Sequence, residues 1–185
     1  FMHRVINREA LYYGREGDQK YRRSLAFIVT QTGMEMLGDS DILARGLTLT
    51  LAQTMTRRGY DVSQSFAGSE WTRPAAMNRP ADVHRVLYYR DKEWLHPGEM
   101  LKAALEQVRN WKEMYRDICI FWILSEHWDA DHWASHLELY QELNARAGNQ
   151  AWFIRTGEKG NKQTPATAKQ FRRYQIVESE MLWRD

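Results

Sequence analysis

The densest chemistry in the chain lies in one short stretch, His127-Trp128-Asp129-Ala130-Asp131-His132. Imidazole and carboxylate are the ligands that a divalent transition metal takes, and a short loop can turn several of them inward. A water bound to such a metal becomes a nucleophile near neutral pH. His132 and His136 stand one helical turn apart, so Asp129, Asp131, His132 and His136 form a candidate local metal set. A simpler reading competes with it. Asp129 or Asp131 caps a helix that begins near His132, and both carboxylates favour the positive end of that helix. Other chemistry has less to draw on. No Gly-x-Gly-x-x-Gly or Walker loop offers a phosphate cradle. The lone Cys119 sits inside an apolar run, where a thiol is expected to be buried and inert.

That run, Ile118-Cys119-Ile120-Phe121-Trp122-Ile123-Leu124, is too short for a membrane span and rich in β-favouring residues. It reads as a strand buried on both faces. Its polar continuation then occupies the place where open parallel sheets meet ligands, just past the carboxyl ends of strands. A second such run, Leu25 to Thr30, opens an earlier unit. Ser40 or Asp41 is expected to cap a helix running to about Arg58, with Ile42, Leu43, Leu47, Leu49, Leu51 and Met55 on its buried side. Gly59 ends it, and Tyr60 to Phe66 alternates as a strand with one partly exposed face. Residues 67–80 read as loop, and 83–89 fit either a strand or a short helix. Gly98 to Tyr115 carries apolar residues at helical spacing. A helix over about 132–147, a strand at Ala151 to Arg155 and a C-terminal helix over 166–183 complete the order.

Alternating strands and helices predict an α/β chain: a three-layer, Rossmann-like domain with a mostly parallel central sheet and helices on both faces. The 185 residues suit one such domain over 24–157. A polar, basic arm or helix (1–23) precedes it, and a loop and helix packing on the domain (158–185) follow. An apolar share of 43% with 27% charged residues argues against disorder by composition. No stretch approaches the length of a bilayer span, so no membrane role is expected. One cysteine and no visible signal peptide point to a reducing, cytoplasmic setting. The opening Phe-Met suggests a piece cut from a longer protein, or a remnant of a cloning vector.

The succession resembles a von Willebrand factor A domain across about residues 24–157. The resemblance is carried by an apolar strand with a small-residue tip, a long helix and the Gly59-Tyr60-Asp61-Val62 strand. The Pro97-Gly98 turn into a helix, the Trp122-Ile123-Leu124-Ser125 strand and a closing strand continue it. Such domains commonly hold one Mg²⁺ at the strand tips with Asp-x-Ser-x-Ser, a Thr and an Asp. Hard cations take oxygen ligands of this kind. Here that motif falls on Thr30, Thr32 and Met34, the later aspartate on Glu126, and the threonine near His96 or Pro97. The leading carboxylate is missing and a thioether replaces one hydroxyl. The resemblance therefore implies a degenerate metal site, with no resident cofactor. The His-x-Asp-x-Asp-His stretch for its part resembles the metal-ligand signature of metallo-β-lactamase-type hydrolases. The further histidine and aspartate of that family have no counterpart downstream, because no histidine follows His136.

Three functions follow. The first is a non-catalytic protein–protein interaction module, an adaptor or scaffold that binds its partner through the strand-tip rim: Thr30, Gln31, Thr32, His96, Glu126, His127 and Trp128. The von Willebrand resemblance implies an AAA+ ATPase or a multi-subunit assembly as the kind of partner. The second is a metal-dependent hydrolase using His127, Asp129, Asp131 and His132 around a divalent metal. The third is a nucleic-acid-binding module using the basic termini, notably Lys159, Lys162, Lys169, Arg172 and Arg173. A net charge of +2 and the neighbouring Glu178, Glu180 and Asp185 weigh against it.

Overall fold

The computed structural model describes residues 23–34, 36, 38–91, 93–125 and 135–157, and the backbone of 174–178. Six strands form one sheet in the order β3-β2-β1-β4-β5-β6. They are β1 (Leu25–Gln31), β2 (Asp61–Ala67), β3 (Ala75–Ala76), β4 (Ile118–Leu124), β5 (Ala151–Gly157) and β6 (Tyr174–Glu178). Every pairing is parallel except β2 with the two-residue β3. Among the described residues the helices are α1 (Asp39–Arg57), α2 (Pro80–Tyr88), α3 (Pro97–Trp111) and α4 (Leu137–Arg146).

The unbroken apolar runs are explained by cover on both faces. Leu25, Phe27 and Val29 of β1 and Ile118, Ile120, Trp122 and Leu124 of β4 face one core with α3 and α4. Ala26, Ile28, Cys119 and Ile123 face the opposite core with Met36 and with Ala44, Ala52 and Met55 of α1. This is the expected three-layer α/β arrangement, with Leu25–Thr30 and Ile118–Ile123 paired side by side. Truncating a filled position such as Phe27 costs about 3–5 kcal/mol in comparable cores. No helix among the described residues is long and apolar enough to cross a membrane.

Several boundaries differ from the sequence reading. Gly38, not Ser40 or Asp41, is the N-cap of α1, and it makes no side-chain cap bond. Asp41 is turned to Arg45 instead, at 2.7 Å. The buried side of α1 is Ser40, Leu43, Ala44, Arg45, Thr48, Ala52 and Met55, while Ile42 is 64% exposed. A threonine and an arginine take inward positions because each finds partners there, which a hydropathy pattern does not register. β2 is buried along its length except at Asp61, because the 71–77 segment closes over its edge. The ambiguous 83–89 stretch is helical as far as Tyr88, with Tyr89 an extended cap, and residues 75–76 of the expected loop form β3. Within the stretch read as a C-terminal helix, Tyr174–Glu178 is a strand parallel to β5. Tyr-Gln-Ile-Val-Glu suits a pleated edge, and the open side of β5 supplied the partner.

Candidate functional site

The sheet order contains one switch point. The chain leaves β1 toward β2 and later leaves β4 toward β5, so the connections diverge between β1 and β4, where ligands usually enter. Here Gln31 bridges that gap, its side-chain Oε1 accepting the Ser125 N–H at 2.9 Å. Thr32 N–H donates to Ala67 O at 2.8 Å, tying β1 to the tip of β2. Thr30 Oγ1 lies 2.7 Å from Thr48 Oγ1 on α1. Thr30, Gln31 and Thr32 are only 1%, 1% and 2% exposed. The sequence reading set these three on an exposed rim. The structure places them beneath it, because each is drawn down by a backbone or side-chain bond to a neighbouring element.

The rim itself is built by two loops. Met34 N–H donates to Glu93 O at 3.3 Å, which sets the loop after β1 against the loop before α3. Gly33 makes that approach possible: its φ is +114°, and a Cβ there would fall on the Glu93 carbonyl. Met34 and Trp94 are left 49% and 61% exposed. His96, the N-cap residue of α3, is exposed. Glu126, His127 and Trp128 lie outside the described residues, as do Asp129, Asp131 and His132. Of the proposed metal set only His136 is described. It is the N-cap residue of α4, and its ring lies against Gly98 in the first turn of α3, within 2.7 Å of where a Cβ would stand.

Asp91 was not anticipated. Its carboxylate accepts from Ser69 N–H at 2.8 Å, Ser69 Oγ at 3.0 Å and Glu93 N–H at 3.1 Å. It thus fastens the loop after β2 to the loop before α3, and a Cβ on Gly68 would run into it. Tyr89 stacks on Phe66 at 4.4 Å, and its phenol is raised above the ordinary range by burial, with Asp91 and Glu70 adding to the shift. An Asp in the sequence Tyr-Arg-Asp, 22 positions after the Ser69 it holds, gave no local signal of this role.

A hard cation of the von Willebrand kind fits the described tip residues poorly. Thr30 points its hydroxyl at α1, Met34 offers a soft thioether, and Asp91 is engaged by two N–H groups and a hydroxyl. Thr32 Oγ1 is buried without a hydrogen-bond partner among the described residues. No group of three or more His, Cys, Asp or Glu among those residues is arranged to hold a metal. What the described tip presents is a thioether and an indole, flanked by the exposed carboxylates of Glu70 and Glu93.

No family model matches the chain, and no curated protein matches it in sequence. Solved structures do match in shape. The VWA domain of SpRpn10 superposes with a TM-score of 0.51 at 8% identity, over 85% of this chain and 87% of that one. The RO (RSR) protein of Deinococcus radiodurans superposes with a TM-score of 0.50 at 12% identity, over 84% of this chain and 31% of that one. The fold is von Willebrand A-like.

Proposed function

We propose that this domain is a non-catalytic protein-interaction module, an adaptor or scaffold element that grips a protein partner with its strand-tip rim. One observation carries the reading: Met34 and Trp94 stand exposed on two loops that a backbone hydrogen bond from Met34 N–H to Glu93 O joins. Aromatic and thioether side chains that project from a fixed backbone are typical of binding hot spots. Little ordering entropy remains to be lost when such a surface engages. The flanking Glu70 and Glu93 favour a partner with an apolar socket and basic residues around it. The fold's likeness to a VWA domain is compatible with a place in a multi-subunit assembly, and a metal is not needed for this kind of grip.

The test is affinity capture from the source organism with the wild-type domain, Trp94→Ala and Met34→Ala. The expected result is a discrete partner recovered by the wild type and lost by at least about tenfold with Trp94→Ala, the range of a hot-spot truncation. Equal recovery with both variants would sink the proposal. Metal analysis of chelator-free protein addresses the hydrolase reading: a stoichiometric transition metal, bound through the 127–136 region, would favour it instead.

A further inference from the structure

A second surface lies away from the strand tips, between α1 and α2. Leu49, Ala52 and Gln53 of α1, with Met77 and Val83, line an open hollow of about 460 Å³ whose walls are mainly apolar. The apolar character continues along the pair, because Ile42 of α1 and Leu87 of α2 are also large, exposed hydrophobics. Gly46, between Ile42 and Leu49, leaves the furrow floor open: nothing lies within 4 Å of where its Cβ would be. Arg45 holds the two helices in this arrangement. It is buried and donates to the carbonyls of Val86 and Tyr89 near the end of α2. The furrow is therefore a fixed feature of the packing.

Its electrostatic setting is basic at the Thr56–Met77 end, whereas the Ile42 end carries Asp39 and Asp41 in the first turn of α1. From Arg45 to Arg58 the sequence of α1 contains no acidic residue. Arg57 lines the Thr56–Met77 end of the hollow, and the exposed Arg58 and Arg79 follow Thr56 and Met77 by two residues each. Arg57 complements the carboxyl end of α1, as a cation in a last turn does. Arg79 has no such reason, since it is the N-cap residue of α2, the end where a helix disfavours positive charge. The one nearby carboxylate on α2, Asp82, is engaged by the N–H groups of Asn78 and Arg79. The hollow also shares Thr56 and Met77 with a larger depression of about 780 Å³, which runs to Tyr60, Trp111 and Tyr115 around the lower edge of the sheet. The track is longer than one side chain needs.

From this combination we infer that the α1–α2 furrow docks an acidic amphipathic helix of a partner protein. The helix lays leucine-like side chains at i, i+3, i+4 and i+7 along Ile42, Leu49, Val83 and Leu87, and its carboxylates meet Arg57, Arg58 and Arg79. The furrow is a separate site from the rim, with the opposite charge, so the domain has two faces for two partners.

The probe is a pair of synthetic amphipathic helical peptides with the same leucine stripe, one flanked by Glu and one by Lys, titrated into ¹⁵N-labelled protein. The expected result is saturable shift changes confined to α1 and α2 with the Glu peptide, and at least about tenfold weaker binding of the Lys peptide. Arg57→Glu/Arg79→Glu, both at exposed positions, is expected to reverse that preference. Trp94→Ala is expected to leave it intact, which separates this site from the rim. Equal affinity for the two peptides, absence of binding, or shifts mapping to the strand tips would each overturn the inference. So would concentration-dependent self-association through the same amides, which would make a second copy the occupant.

Discussion

The hydroxyls of Thr30 and Thr48 lie 2.7 Å apart and join the tip of β1 to the middle of α1. The Thr48 hydroxyl donates its hydrogen bond to Ala44 O at 2.8 Å, which leaves Thr30 as the donor of the pair. The strand end is thereby anchored downward, into the layer beneath it, at the position where the sequence resemblance set a metal-binding carboxylate.

Restoring an acid at that position is predicted to harm the fold without creating a cation site. Thr30→Asp buries a carboxylate where a hydroxyl donor is required, a change worth about 2–4 kcal/mol of lost stability. Urea unfolding reads the loss as a lower midpoint. A midpoint that recovers in millimolar Mg²⁺ for Thr30→Asp, and is unmoved in wild type, would contradict the geometry described for the tip.

Arg45 is predicted to be the clamp on α2. Replacing it with Met keeps the apolar stem but takes the guanidinium away from the Val86 carbonyl and leaves Asp41 and the Tyr89 carbonyl to Arg90 alone. Orphaning a buried acceptor in this way costs about 1–3 kcal/mol. Native-state hydrogen exchange is expected to accelerate in α2 well before α3. Uniform acceleration across both helices would refute the clamp.

Gly98 and His136 are predicted to be energetically coupled. A Cβ on Gly98 would stand 2.7–3.1 Å from three atoms of the His136 ring, so Gly98→Ala forces the ring aside. The single substitution is expected to destabilise by about 1 kcal/mol even though alanine is the better helix former. In a His136→Ala background the same change is expected to become neutral or stabilising. A double-mutant cycle with no interaction energy would count against this.

Glu142 is predicted to give a pH-dependent link between α3 and α4. Its carboxyl lies below the usual range, chiefly because Arg109 and Arg146 donate to it, each bond being 2.8–2.9 Å long. A lowered carboxylate adds stability that is fully present above its unfolded value, about pH 4.3, and is lost as pH falls through the folded value. The difference in melting temperature between wild type and Glu142→Gln should therefore be small near neutrality, vanish in acid, and shrink with added salt. A difference that holds at all pH values would show that packing is responsible.

The sheet was legible in the sequence because burial on both faces leaves a plain trace. Leu25–Val29 and Ile118–Leu124 could be filled with apolar residues at consecutive positions only if helices covered both sides, and α1, α3 and α4 do. The helical stripe of Met100, Leu101, Ala104, Leu105 and Val108 was equally direct, since all five are core. Those inferences need only the chain's own periodicity.

The site was legible only in place. The end of β1 was identified as important, but Thr30, Gln31 and Thr32 look the same in sequence whether they face water or a neighbouring element. Their partners Thr48, Ser125 and Ala67 stand 18 to 94 positions away, or in the backbone of another strand. Asp91 and the Met34–Trp94 pair emerged for the same reason, as did the furrow beside Arg45. Periodicity along one segment records which face is covered. Which polar groups meet across segments is set by register and loop closure, and tertiary structure alone decides that.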